Sequence, residues 1–299
     1  MPAATPAGPP TRVAWTPTGS GTQRLLAGFL QTLDLDADQL HQAPDALARL
    51  RSGQLQAVLV HGLLPPPELA DTVQRLAQHQ PAFLQTWFPP AFHAWFYGRN
   101  LNLCAPDQLA HYFDEAALFN AQLAQLLPGG ADLQARLIAV LSALDGGRPV
   151  AAAPGPQPGQ AYMFTTLRAH LPQGHIPAHF DNEMRLRPSY QHLARTLQPH
   201  TLSFVLAFSQ AEAGGALEVF DLRCEPGDAR LLNDDGVRDK PDTGALASVA
   251  FRLPAGSMIV LDSGRYLHRL SPVQGARTRW SACSFMALDR AGHSLCCWG

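Results

Sequence analysis

Lysine is nearly missing from this chain: Lys240 is the only one among 299 residues, so arginine carries almost all of the positive charge. Alongside abundant alanine, proline and glycine, that bias reflects coding composition rather than ligand chemistry. Net charge is scarce too. A formal value of −2 leaves no basic stripe, which argues against nucleic acid and anionic membrane surfaces as partners. The five cysteines, Cys104, Cys224, Cys283, Cys296 and Cys297, are odd in number and show no zinc or disulfide spacing. The first residues, Met1-Pro2-Ala3-Ala4-Thr5-Pro6, lack both the charged and the apolar region of a secretory leader. No apolar run is long enough to span a bilayer. A reducing, cytoplasmic setting is the expectation these absences leave. No internal repeat is visible.

What is present suits a packed core, with 46% hydrophobic and 15% charged residues. At about 150 residues per domain the length would fit two, but β sandwiches and barrels run longer as one unit. Residues 1–21, rich in Pro, Thr and Gly, read as a mobile tail. Residues 22–53 read as a helical N-terminal extension. Its first helix rests on Leu26, Phe29, Leu30 and Leu33 at i, i+3, i+4, i+7. Its second covers 46–51, with Asp45 as N-cap and Gly53 as the stop. Residues 54–299 form the main domain. There 55–60 reads as a strand, and Leu69, Val73 and Leu76 as the buried face of a helix after Pro65-Pro66-Pro67. The aromatic stretch 87–97 reads as core packing beneath a loop, with a substrate-facing wall as the sharper alternative. Two further helices carry Leu109, Phe113, Leu118 and Leu126, and then Leu133, Leu137, Val140, Leu141 and Leu144, stopping at Gly146-Gly147.

After a Pro/Gly/Ala loop over 148–160 the pattern changes. Segments 162–170, 201–208, 216–220, 249–253, 257–261 and 280–288 are short, β-rich and punctuated by Gly, Pro, Asn or Asp. That pattern predicts an antiparallel sandwich or jelly roll. Helices first and strands later predict helices packed on one outer face of a sheet. The expected class is mainly β with flanking helices (α+β).

In Gly174-His175-Ile176-Pro177-Ala178-His179-Phe180-Asp181-Asn182, His179 and Asp181 form an H-x-D pair. In an extended chain residues i and i+2 point the same way, so an imidazole and a carboxylate can converge. A third ligand has to come from elsewhere, and His268, just after the apolar run 258–261, is the best candidate. Two histidines and one carboxylate with open positions are the donor set of non-haem Fe(II) oxygenases. Arg279 and Ser281 share a face of a following strand and together suit a carboxylate. His175 lies four residues before His179, but Gly174 and Pro177 disfavour a helix there, so it reads as a loop residue. Arg265 and Arg269 read as solvated or structural. Asn233-Asp234-Asp235-Gly236 reads as a turn, without the ligand alternation of a calcium loop. The insertion 182–200, with Glu183, Arg185, Arg187 and Tyr190, reads either as a contributor to the site mouth or as a connecting helix.

On these motifs the sequence resembles the 2-oxoglutarate- and Fe(II)-dependent dioxygenases, in particular their prolyl-hydroxylase-like branch. The resemblance covers residues 55–287 and is carried by four stretches. These are His179-Phe180-Asp181-Asn182, Gly214-Gly215-Ala216-Leu217, His268-Arg269-Leu270-Ser271-Pro272-Val273 and 275–281. It implies a double-stranded β-helix core, His179, Asp181 and His268 as iron ligands, and 2-oxoglutarate as cosubstrate. It puts the arginine that pairs with the distal carboxylate of 2-oxoglutarate at Arg279 or Arg277. Arg279-Trp280-Ser281 running into an apolar strand favours the first; Gly275-Ala276-Arg277 mimics the family's Gly-x-Arg, and equal parity does not separate them. The family often has a tyrosine touching the cosubstrate in the strand before the H-x-D turn, where this chain has His170. The implied chemistry has 2-oxoglutarate and O₂ filling the open iron positions, with succinate and CO₂ as co-products. Halogenating members have a small residue in place of Asp181, so hydroxylation is expected here, with desaturation and ring formation left open.

The leading expectation is hydroxylation of an unactivated carbon in a small molecule, either an amino acid or a secondary metabolite. A peptide or protein side-chain hydroxylase is the alternative within the enzyme class. A non-catalytic, cupin-like metal- or ligand-binding barrel is the alternative outside it, and such a barrel would not need Arg279 with Ser281. The N-terminal segment reads as a homodimer contact or a lid, with nothing in the sequence to choose.

Overall fold

The computed structural model describes residues 9–182, 187–224 and 241–299. Three strands come first: β1 (Arg12–Ala14), β2 (Thr22–Leu26) and β3 (Leu30–Asp36). Helix α1 (Ala46–Ser52), strand β4 (Ala57–His61) and helix α2 (Pro66–Ala77) follow. Next are β5 (Gln85–Trp87), β6 (Ala94–Tyr97), α3 (Leu109–Leu123) and α4 (Leu133–Ala143). The second half contains β7 (Val150–Ala152), β8 (Thr166–His170), β9 (Ile176–His179), helix α5 (Gln191–Thr196) and β10 (Leu202–Ala207). It continues with β11 (Ala213–Gly214), β12 (Leu217–Arg223), β13 (Ser248–Phe251), β14 (Met258–Leu261) and β15 (Tyr266–Leu270). The last are β16 (Val273–Gln274), β17 (Arg279–Leu288) and β18 (Leu295–Trp298).

Two facing sheets hold all the described strands except β11 and β16, which pair with each other. The larger runs β2-β3-β4-β14-β10-β17-β8-β6-β5, with β18 beside part of β17 and β7 beyond it. The smaller runs β1-β13-β12-β15-β9. Together β8, β17, β10 and β14 face β9, β15, β12 and β13, the jelly-roll arrangement expected from the sequence.

Strict alternation in the larger sheet sorts its residues into two cores. Val58, Val60, Leu167, Ala169, Phe204, Met258, Val260, Trp280 and Ala282 point outward and are covered by apolar faces of the helices. Ala57, Leu59, Ala207, Ile259 and Leu261 point inward against Leu217, Val219, Val249 and Phe251 of the smaller sheet. Strands covered on both faces read as unbroken apolar runs, which is why Met258-Ile259-Val260-Leu261 shows no polar alternation.

The N-terminal readings need correction. The expected helix over Leu26, Phe29, Leu30 and Leu33 is the β2–β3 hairpin, antiparallel to each other, with β3 parallel to β4. Ala27 and Gly28 both have positive φ (50° and 78°), and the Phe29 N–H donates to the Leu26 carbonyl at 3.1 Å. That is the closed turn a type I′ geometry requires. The four apolar residues do not share a stripe: Leu33 faces the helices and Leu30 faces the smaller sheet. An interior strand buried on both faces imitates helical spacing. The tail reading fails over residues 12–15, where β1 pairs parallel with β13 and Trp15 is buried against His61 and Phe251; residues 1–8 lie outside the described set. Of the expected helical extension, α1 remains, closed at Gly53 in the left-handed conformation (φ 78°); Asp45 starts it without a side-chain cap.

Helices α2 and α4 follow the expected faces, and the Asp132 side chain caps α4 by accepting from the Ala135 N–H at 3.1 Å. In α3, Leu118 is exposed while Tyr112, Ala116, Phe119 and Leu123 face the core. Five residues after Phe113 is roughly 140° further round the helix, so the two could not share a face. The aromatic stretch 87–97 is the β5–β6 hairpin: Phe88 and Phe96 pack together, and Trp95 and Tyr97 pack on Trp280. The residues Asn233, Asp234, Asp235, Gly236, Glu183 and Arg185 lie outside the described set.

Candidate metal centre and cosubstrate pocket

Strands β9 and β15 are neighbours in the smaller sheet, and their pairing sets His179 directly across from His268. The two rings lie 4.4 Å apart between centroids. Each ring is fixed by the backbone two residues before it: His179 Nδ1 donates to the Pro177 carbonyl at 2.8 Å, and His268 Nδ1 to the Tyr266 carbonyl at 3.0 Å. A carbonyl can only accept, so a proton sits on Nδ1 of each ring and Nε2 is the nitrogen that faces inward. Asp181 follows the end of β9, where its N–H donates to the Ser263 carbonyl at 3.0 Å. Its Oδ1 lies 3.4 Å from His179 Nε2 and its Oδ2 3.4 Å from His268 Nε2. The three donor atoms lie within 4.8 Å of one another, close enough to hold one metal ion. Burial alone would raise the Asp181 carboxyl, but His268 and His179 outweigh it and hold it well below the usual carboxylate range. One carboxylate and two imidazole Nε2 atoms suit a divalent first-row metal.

The turn between β14 and β15 holds this arrangement from behind. Asp262 is fully buried and accepts from His200 Nε2 at 2.7 Å and Arg265 Nε at 2.7 Å. Arg265 also donates from Nη2 to the Leu50 carbonyl at 2.8 Å, tying the C-terminal end of α1 to the turn. Arg269 pairs with Glu218 at 2.6 Å, so both arginines are structural, as expected.

Facing the trio across the cavity between the sheets is a wall made by β8 and β17. Inward-pointing Arg168, His170 and Arg279 line it. Arg279 is buried and has no ion pair among the described residues; its Nη1 donates to Ser281 Oγ at 3.2 Å. The close pass of Gly214-Gly215 makes room for it, since a Cβ on Gly215 would sit 3.2 Å from Arg279 Cδ. Arg277, of equal parity, stands outside the strand on an exposed loop, where the Ala276 and Arg277 N–H groups donate to Glu212 Oε1 at 3.1 and 3.2 Å. His170 pairs across the ladder with Arg279. It is 2% exposed, and neither ring nitrogen has a hydrogen-bond partner among the described residues. Burial, and then the charges of Arg279 and Arg168, push its pKa well below the ordinary histidine value, so the ring is neutral. A buried guanidinium without a carboxylate, beside an imidazole without a hydrogen bond, fits a small dicarboxylate.

His175 is a loop residue stacked edge-on against Phe92. Tyr190 packs in the helical core, so that part of the 182–200 insertion connects rather than lines the cavity. The residue that sequence reasoning missed is Arg168. It shares a face with His170 by simple alternation along β8, a signal that was available once the strand was assigned. No helix among the described residues is long and apolar enough to cross a membrane.

Residues 29–299 match the family described as carrier-protein-independent halogenase WelO5. No curated protein sequence matches the chain. Among solved structures, the chain is similar to an N-substituted L-amino acid dioxygenase from Burkholderia ambifaria AMMD. The identity is 14% and the TM-score 0.54, over 86% of this chain and 91% of that one. The same protein in complex with α-ketoglutarate gives 13% identity and a TM-score of 0.53, over 87% and 92%. An oxidoreductase of the 2OG-Fe(II) oxygenase family from Burkholderia pseudomallei gives 15% identity and a TM-score of 0.43, over 92% and 94%.

Proposed function

Because the chain belongs to the carrier-protein-independent halogenase WelO5 family, within the 2-oxoglutarate- and Fe(II)-dependent oxygenases, we propose that it hydroxylates an unactivated carbon of a small molecule and does not halogenate it. The observation that carries this reading is Asp181. Its two carboxylate oxygens stand at equal distance from the two imidazole Nε2 atoms, in the place a halide would need. The amino-acid substrate of the Burkholderia ambifaria dioxygenase favours an amino acid or a derivative of one here.

His179, Asp181 and His268 would hold the iron, and their backbone and turn anchors orient them before it arrives. Arg279, with Ser281 supporting its guanidinium, would take the distal carboxylate of 2-oxoglutarate. His170 would donate its ring N–H to the same cosubstrate, filling a hydrogen bond it otherwise lacks. Arg277 is set aside because its side chain stands in solvent. Bound iron and 2-oxoglutarate together supply the oxidising power, activating O₂ with release of succinate and CO₂. The apolar inner faces, including Val205, Leu217, Leu261 and Leu270, orient the substrate and keep water from the reacting carbon.

The test uses the anaerobic protein with Fe(II) and 2-oxoglutarate, whose complex has a visible metal-to-ligand absorption. Chloride should leave that band unmoved. A saturable chloride-dependent shift would put halide on the metal and overturn the hydroxylase reading. Under O₂, slow succinate release without substrate is expected, and it should vanish in His179→Ala and in Arg279→Gln.

A further inference from the structure

Among the described residues Arg168 is a cation without a counter-charge. Its side chain is half-buried in the cavity. Its one side-chain hydrogen bond among the described residues runs from Nε to Thr166 Oγ1 at 3.3 Å. Among the described residues no carboxylate pairs with it, whereas Arg269 at the same cavity is neutralised by Glu218. In the β8–β17 ladder Arg168 lies opposite Ser281, one inward step along β8 from the His170–Arg279 pair. The two guanidiniums therefore stand on one wall, near enough that Arg168, after burial, lowers the Arg279 pKa from its ordinary value. Neither loses its proton, because guanidinium stays charged in proteins.

The charges of the loaded site do not balance with the cofactors alone. Asp181 brings one negative charge, and the ions proposed above cancel each other, Fe(II) against the 2-oxoglutarate dianion. Arg279 and Arg168 bring two positive charges, so one remains. A partly desolvated, unpaired cation beside another is costly, and the cost is removed by an anion with matching hydrogen-bond geometry. Halide does not fill this role at the metal, where Asp181 stands.

We propose that Arg168 binds a carboxylate of the primary substrate, so that this enzyme oxidises a small carboxylic acid. The proposal rests on the oxygenase reading and deepens it. A substrate gripped by Arg168 lies beside the cosubstrate that runs from Arg279 to the metal trio, with its carbon chain along the apolar inner faces of β10 and β14.

The experiment titrates the anaerobic Fe(II)·2-oxoglutarate complex of the full chain with matched acid and amide pairs. The probes are N-acetyl-L-leucine and N-acetyl-L-leucinamide, N-acetyl-L-phenylalanine and its amide, and butyrate and butyramide. Binding is read from the visible absorption and from protection against thermal unfolding. The wild type should bind at least one acid roughly tenfold or more tighter than its amide. Arg168→Gln should erase that preference while the Kd for 2-oxoglutarate stays within about threefold, and Arg168→Lys should restore part of it. A roughly tenfold loss of 2-oxoglutarate affinity in Arg168→Gln, with the preference intact, would assign Arg168 to the cosubstrate and overturn the proposal. Acids that bind the wild type no better than amides, or not at all, overturn it too. A wild type that forms no Fe(II)·2-oxoglutarate complex removes the oxygenase reading, and this proposal falls with it. Circular dichroism of each variant separates lost binding from lost folding.

Discussion

His170 lies buried with neither ring nitrogen hydrogen-bonded among the described residues, and burial together with Arg279 and Arg168 opposes its protonation. Its folded pKa is depressed, while in the unfolded chain it titrates near 6.5. The unfolded state therefore binds more protons as the pH falls below that value. Stability should drop in this window, down to the depressed folded pKa, and His170→Gln should flatten the slope. Urea unfolding between pH 7 and 5 measures it; an unchanged slope would show that His170 does not carry this linkage. Arg279→Gln should weaken 2-oxoglutarate binding by about 2 kcal/mol, roughly thirtyfold, whereas Arg277→Gln should change it less than about twofold. Anaerobic titration of the visible band decides between them. At this scale the sequence was informative where spacing sets facing: His179 and Asp181 point together because i and i+2 do so in any extended chain. It could not separate Arg277 from Arg279, whose parity is equal. What separates them is where β17 begins, and that depends on the Gly275 loop closing over Glu212.

The β2–β3 hairpin shows how an element can hide. Its turn carries Ala27-Gly28 where Asn-Gly would have announced it, and Ala27 accepts φ 50° at a steric cost. Ala27→Asn should stabilise the protein by about 0.5–1 kcal/mol, since asparagine tolerates the left-handed region. Gly28→Ala should destabilise it by about 1 kcal/mol, because a Cβ there meets no atom within 4 Å and only the φ of 78° opposes it. Thermal unfolding of both variants gives the two signs. The helices α2 and α4 were legible because each exposes one face and buries the other. The strand β3 was not, because both of its faces are covered and its periodicity is lost.

For the whole molecule, the jelly roll was readable from the spacing of short strands and punctuating residues. The attachment of β1, β2 and β3 to the sheets was not, since it depends on contacts distant in sequence such as Arg12 with Ser248. Both metal-site histidines are held by their own backbone and Asp181 by the β14–β15 turn, so the site does not need an ion to keep its shape. Removing metal with a chelator should leave the far-ultraviolet circular dichroism unchanged. Returning Fe(II) at about 100 times its Kd should then add about 2.7 kcal/mol by mass action. Collapse of the secondary structure on chelation would show instead that the ion is needed for folding.

The trio belongs to the smaller sheet, and the guanidiniums of Arg168 and Arg279 to the larger one facing it. Under the reading proposed above, a substrate held between them would have its ionic end fastened to one wall and its reactive carbon turned to the other. It cannot roll over without letting go. Of two mirror-related hydrogens on a methylene group, only one can then face the oxidant, and the alcohol that leaves should be of a single hand.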